Sequence, residues 1–262
     1  MGREDVIEAA NDLVDSGAFF DTLARRIAVP TASTEATAEV MHEYFDAQIT
    51  PDLEALGYDV ETFPNPAPDG FPFLVARRVE DAALPTVLTY GHADVVRGQA
   101  DRWSEGRSPW ELRDEGDRWY GRGTADNKAQ HSINLAALGL VLADRGRLGF
   151  NSTILLETGE EIGSPGVREF CSAHAELLAA EVLIASDGPR LHRDRPLVMG
   201  GTRGVINFDL KVDLRPGGHH SGNWGGLLRN PGSVLANAIA SIIDRHGQIQ
   251  VPEWRPTSLT DE

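Results

Sequence analysis

Cysteine is almost missing from this chain: Cys171 is the only one among 262 residues. A single thiol excludes an intrachain disulfide and a cysteine-based zinc site. Its setting, Val167-Arg168-Glu169-Phe170-Cys171, has a helical pattern and reads it as a small buried apolar residue. Basic residues are also scarce, with 24 Lys and Arg against 40 Asp and Glu and a net charge of -16. Nucleic acid and anionic membrane repel such a chain, so neither is expected as its main partner. No run approaches the roughly 20 apolar residues of a membrane-spanning helix. Met1-Gly2-Arg3-Glu4-Asp5 leads into an amphipathic helix rather than an apolar signal core, so a cytoplasmic protein is the expectation. Internal repeats are lacking, and no phosphate-cradling glycine loop supports a metallophosphohydrolase.

What is present is an ordinary globular composition, 41% hydrophobic and 24% charged, in a chain long enough for one large or two modest domains. Helical spacing runs from Glu4 to Val14 and from Thr34 to Leu56, with Pro51 breaking the second or opening a new helix. Strand-like runs span Val60 to Phe63, Phe73 to Val79 and Pro85 to Tyr90. A helix from Asp126 to Arg145, a buried strand from Ser152 to Leu156, a helix from Val167 to Leu178 and another buried strand from Glu181 to Ala185 follow. This alternation predicts an α/β fold, a mixed, mostly parallel sheet with helices on both faces, whose ligands collect at the carboxyl ends of strands. Near residue 200 the pattern changes. Thr202 to Val212 alternates like a half-exposed antiparallel strand, a glycine-rich turn covers Gly217 to Gly226, and a helix is expected from Gly232 to Arg245. The expected division is therefore residues 1–200 and the start of a smaller α+β domain at 201–262.

Chemistry concentrates at four predicted strand ends: Gly91-His92-Ala93-Asp94, Gly123-Thr124-Ala125-Asp126-Asn127-Lys128, Glu157-Thr158-Gly159-Glu160-Glu161 and Ala185-Ser186-Asp187-Gly188. One imidazole and several carboxylates suit two Zn²⁺-like ions sharing a bridging carboxylate. Alternation after the strand points His92 and Asp94 to one side, where a carboxylate can hold the imidazole N–H and fix its tautomer. Asp126 alone would read as a helix N-cap, but its two oxygens can also bridge two ions. Glu160 and Glu161 can divide labour, one binding metal and one accepting a proton from water. Asp187 adds a further terminal ligand. The set points to a metal-dependent hydrolase.

These motifs, in this order, resemble the di-zinc peptidases and deacylases that include carnosinase-type dipeptidases, aminoacylase, acetylornithine deacetylase and carboxypeptidase G. The resemblance implies two divalent ions, zinc with cobalt or manganese as alternatives. It makes His92 a ligand of one zinc with Asp94 orienting it, Asp126 the bridge, Glu160 the general base, Glu161 a ligand of one zinc and Asp187 of the other. It also implies a cis peptide bond between Asp126 and Asn127. His220, in His220-Ser221-Gly222-Asn223-Trp224-Gly225-Gly226, resembles the histidine of the family's lid domain, which reaches a partner subunit's site in a homodimer and steadies the oxyanion. The expected substrate is a small peptide or an N-acyl amino acid. An aspartate at position 187 and the wording Gly201-Thr202-Arg203-Gly204 resemble dipeptidase members more than deacylases of the acetylornithine deacetylase or succinyl-diaminopimelate desuccinylase type. The family's second histidine ligand lies beyond the lid, and none of His42, His131, His174, His192 and His246 matches its motif. The expectation is thus a truncated chain, inactive or nearly so by itself, and the alternative to the hydrolase reading is a chain that binds metal without turnover.

Overall fold

A computed structural model describes residues 2–188, 192, 194–199 and 204–255. The chain forms two compact units, Met1–Pro196 and Leu197–Glu262. The first opens with helices α1 (Arg3–Asp15), α2 (Ala18–Ala28), α3 (Ala38–Tyr44) and α4 (Thr50–Ala55). Strands β1 (Asp59–Phe63), β2 (Phe73–Arg78) and β3 (Thr86–His92) follow, then the short β4 (Arg113–Asp114) and β5 (Trp119–Tyr120). Helix α5 (Lys128–Arg145), β6 (Asn151–Glu157), α6 (Val167–Ala173) and β7 (Val182–Ala185) complete it.

Pro51 does open a new helix. It sits in the first turn of α4, where its missing N–H breaks no ladder, and the chain before it widens into a π turn over Phe45–Ile49 closed by Thr50 N–H on the Phe45 carbonyl. Helix α2 lies in a stretch to which the sequence reading gave no element. It starts after Gly17, at φ 82°, and buries Phe19, Leu23 and Ile27, a four-residue spacing that forms one helical face. That face packs with Leu112 and Ala129, so α2 rests against the start of α5.

The main sheet has the order β1-β2-β6-β3-β7. β1 and β2 pair antiparallel, as do β2 and β6, while β3 pairs parallel with both β6 and β7. Four of the five strands therefore run in one direction and only β2 opposes them, which is the expected mixed, mostly parallel arrangement. The period of two along the strands divides the core between the faces. Leu74, Ala76, Ile154 and Leu156 meet Tyr44, Phe45, Ile49, Leu53 and Leu135 on one side. Phe73, Val75 and Leu155 meet Phe170 and Leu178 on the other. Cys171 joins that second cluster only half-buried.

Three expectations need correction. β7 reads as a buried strand, yet all four of its residues are exposed. Its apolar sequence is that of a central strand, but among the described residues it is last in the sheet order and pairs only with β3. Helix α6 ends at Ala173 rather than continuing to Leu178, because His174 leaves helical geometry at φ -112° and ψ 29°. Residues 201–203 lie outside the described residues. The remainder of the expected strand, Gly204 to Val212, is not a strand. Alternation marks faces, but a strand also needs a ladder partner, and this stretch leaves Val205, Ile206 and Phe208 exposed.

The second unit holds α7 (Ser221–Trp224) and α8 (Pro231–Ile242). α8 is well started: Pro231 occupies its first turn and the Asn230 side chain accepts from the N–H groups of Gly232 and Ser233.

Candidate metal centre

The parallel β6-β3-β7 order brings three strand ends together, with His92 opposite Glu157 and Tyr90 opposite Ala185. His92 is the last residue of β3 and fully buried. Its Nε2 lies 2.9 Å from Asp126 Oδ1, 3.7 Å from Asp187 Oδ2 and 3.9 Å from Glu160 Oε2. One donor atom each from His92, Asp126 and Asp187 lie within 4.8 Å of one another. Asp126 is 60% exposed, so the cluster pairs an interior imidazole with a carboxylate that faces solvent. The Asp126–Asn127 peptide bond is cis.

Asp94 is buried beside His92. The His92 Nδ1 lies 3.0 Å from the Asp94 carbonyl and 3.3 Å from its Oδ1, which assigns the Nδ1 proton to Asp94 and turns Nε2 toward the carboxylates. Asp94 also does something its sequence position does not reveal. Its Oδ1 accepts from Glu160 N–H and its Oδ2 from Glu161 N–H, both at 3.2 Å. These amides open the 3₁₀ turn Glu160–Ile162, where the first N–H groups have no partner within the turn. One carboxylate thus orients the imidazole and caps the segment carrying both glutamates. The same segment is held from below by Glu157, another residue the sequence reading left without a role. Its buried Oε1 accepts from the Tyr90 hydroxyl at 2.5 Å and from Ser164 Oγ at 2.9 Å.

Glu161 stands outside the three-donor group and accepts from Val96 N–H at 3.2 Å. Burial and then the Asp126 charge push its carboxyl up, so it shares the field of the cluster. Glu160 and Asp187 are likewise raised by burial, with neighbouring carboxylates adding to it. For His92, burial opposes the charged form, but Asp94, Asp126 and Glu160 together outweigh it and lift the imidazole to about 9. Glu160, Glu161 and Asp187 thus crowd like charge around one imidazole. Imidazole plus oxygen donors at this spacing fit a divalent cation, which would relieve the same crowding.

His220 belongs to the second unit. It is the N-cap of α7, exposed, with Nδ1 accepting from Gly222 N–H at 3.0 Å. His219 instead meets the Trp224 ring edge-on, with centroids 5.8 Å apart.

Comparison with known proteins agrees with this geometry. The family model described as peptidase family M20/M25/M40 matches residues 88–247. Cysteinylglycine-S-conjugate dipeptidase of Corynebacterium striatum is 34% identical over 212 residues, covering 80% of this chain and 46% of that protein. Beta-Ala-His dipeptidase of Mus musculus is 30% identical over 247 residues, covering 89% and 50%. The chain spans about half the length of these curated relatives. The crystal structure of human carnosine dipeptidase 1 superposes with a TM-score of 0.69 at 23% identity, over 98% of this chain and 56% of that one, a likeness of fold. The matched stretch, residues 88–247, covers more than half of the chain, and the chain belongs to peptidase family M20/M25/M40.

Proposed function

We propose that the protein hydrolyses the amide bond of dipeptides at a centre where His92, Asp126, Glu161 and Asp187 would hold two divalent cations, Asp126 being the shared carboxylate. The observation that carries this reading is the convergence, within 4.8 Å, of donor atoms from His92 and Asp187, at the ends of parallel strands β3 and β7, and from Asp126, just before α5. Relatives named as dipeptidases support dipeptides over N-acyl amino acids. Bound cations would supply Lewis acidity and make a water acidic enough to lose its proton near neutral pH. The donor set suits zinc, with cobalt or manganese as alternatives.

The chain's own residues do the rest. Asp94 keeps the His92 proton on Nδ1 and holds the backbone of Glu160 in place. Glu160, partly exposed beside His92, accepts the proton of the attacking water and returns it to the leaving amine. Burial and the neighbouring carboxylates raise its pKa, which strengthens it as a proton acceptor. By likeness to the family, His220 is the candidate donor to the tetrahedral oxyanion, delivered across a homodimer in a cytoplasmic enzyme.

The test is hydrolysis of a dipeptide panel beside N-acetyl and N-succinyl amino acids, with Zn²⁺, Co²⁺ or Mn²⁺ supplied. Turnover of dipeptides is the expected result for a chain of the relatives' full length, with little or none for these 262 residues alone. Turnover of N-acyl amino acids alone would replace the reading with a deacylase, and cation binding with no turnover at either length would withdraw the activity.

A further inference from the structure

Asp187 poses a problem of support. It follows β7, whose residues are all exposed, so packing does little to set its position. The loop that carries it is held by side chains of α5. Asn134 Nδ2 donates to Ser186 Oγ at 2.9 Å, and Ser186 Oγ lies 3.2 Å from Asn134 Oδ1 in return. Gln130 Nε2 donates to the Gly188 carbonyl at 3.3 Å. Asn127, fully buried, donates from Nδ2 to the Ser186 carbonyl at 2.7 Å and to Gln130 Oε1. Its Oδ1 accepts from His92 N–H at 3.2 Å. Positions 127, 130 and 134 are three and four apart and lie on one face of the helix. Gly91 makes room for this face, because a Cβ there would stand 3.0 Å from Asn127 Oδ1.

We propose that the carboxamides of Asn127, Gln130 and Asn134 are positioning groups that hold the Ser186–Gly188 loop, and with it Asp187, against His92 and Asp126. The proposal rests on the metal-centre reading above. Amides suit the task for an electrostatic reason. A lysine or arginine on this face would pair with Asp187 and repel a cation, and another carboxylate would bring acceptors but no donor for the Ser186 carbonyl. A neutral amide supplies both donor and acceptor without altering the charge that the cation meets. Asn127 is the hub, since its one side chain touches the backbone at His92 and at Ser186 and its own main chain follows Asp126. The three donor-bearing segments are therefore tied through a single residue.

The test uses the full chain with Gln130→Met and Asn134→Leu, which keep size and remove the amides, titrated calorimetrically with Co²⁺. The double variant is expected to bind Co²⁺ about tenfold more weakly with an unchanged melting temperature, since outer partners of metal ligands carry about 10- to 100-fold in affinity. In an Asp187→Asn background the same pair should change affinity less than about twofold, because the amides act through Asp187. Equal weakening in both backgrounds, or a lower melting temperature with unchanged Co²⁺ affinity, would overturn the proposal and leave a structural role. Amide hydrogen exchange of the segment Ala185–Gly188 in the cation-free chain separates the two readings. If the parent chain binds no Co²⁺, the metal-centre reading fails, and the exchange still decides the clamp. Exchange about tenfold faster in the double variant supports it, and unchanged exchange overturns it.

Discussion

β6 and β7 flank the same strand, run the same way and are each followed by carboxylates of the candidate centre, yet they are built in opposite ways. Every residue of β6 is buried and every residue of β7 is exposed. β7 is wholly apolar, whereas β6 carries Asn151, Ser152, Thr153 and Glu157 beside Ile154, Leu155 and Leu156, so composition alone would rank their burial the other way. Position in the sheet decides it. The contrast extends to the groups they present. Glu160 and Glu161 stand on a turn anchored by a packed strand and capped by Asp94, while Asp187 stands on a loop held by side-chain amides. One centre thus draws on two kinds of support, packing on one side and hydrogen bonding on the other.

The sharpest way to break this comparison is to truncate matched residues. Ile154→Ala in β6 should cost about 3 kcal/mol in urea unfolding, from lost burial and the cavity it leaves. Ile184→Ala in β7 should cost below about 1 kcal/mol, because the side chain is already half in water. Equal costs would show β7 to be covered in solution. Next in size is the division of labour between the two strand ends. In a chain of the relatives' full length, Glu160→Gln should lower dipeptide turnover by about 10²-fold while keeping its cations, as removal of a proton acceptor does. Asp187→Asn should instead weaken Co²⁺ binding. Lost cation in Glu160→Gln would reverse the assignment of the carboxylates.

The pH dependence of cation binding gives a smaller, graded effect. With His92 lifted to about 9, the cation-free site carries a proton on the imidazole below that pH, and binding must release it. Affinity should therefore rise with pH up to about 9, by about tenfold per unit from this proton alone. Calorimetry at pH 7 and pH 8 reads the difference, and equal affinity at both would show that His92 stays out of the cation's reach. The smallest effect is expected at the edge itself. Val182→Thr should change stability by less than about 0.5 kcal/mol, as surface substitutions usually do.

What could be read from the sequence follows from distance along the chain. The motifs of His92, Glu160 and Asp187 were legible because each joins a strand to an acidic terminus within a few residues, that of Asp126 because it precedes a helix after Gly121-Arg122-Gly123, and the structure does gather His92, Asp126 and Asp187. The mostly parallel sheet was legible from the alternation of strands and helices. α2 escaped because its apolar face, Phe19, Leu23 and Ile27, is interrupted by Arg25 and Arg26. Arg26 is buried in spite of its charge, paired with Asp52 at 2.6 Å and donating to Ser132, partners that no local pattern announces. The exposure of β7 depends on its neighbours in the sheet, which its own four residues do not encode. The Asp94 cap and the α5 amides reach partners more than fifty residues away, so their roles emerge only in three dimensions.

The double duty of Asp94 makes it a ruler as well as a cap. Its carboxylate meets the His92 ring on one side and the Glu160 and Glu161 amides on the other, so the spacing between the imidazole and the backbone of the turn that carries the proton acceptor follows the reach of one short side chain. A glutamate in its place keeps the charge and the acceptors but adds a C–C bond of about 1.5 Å. A shift of that size between reacting groups is enough to cost about 10²-fold in rate. Length, more than charge, is then what holds this position to aspartate.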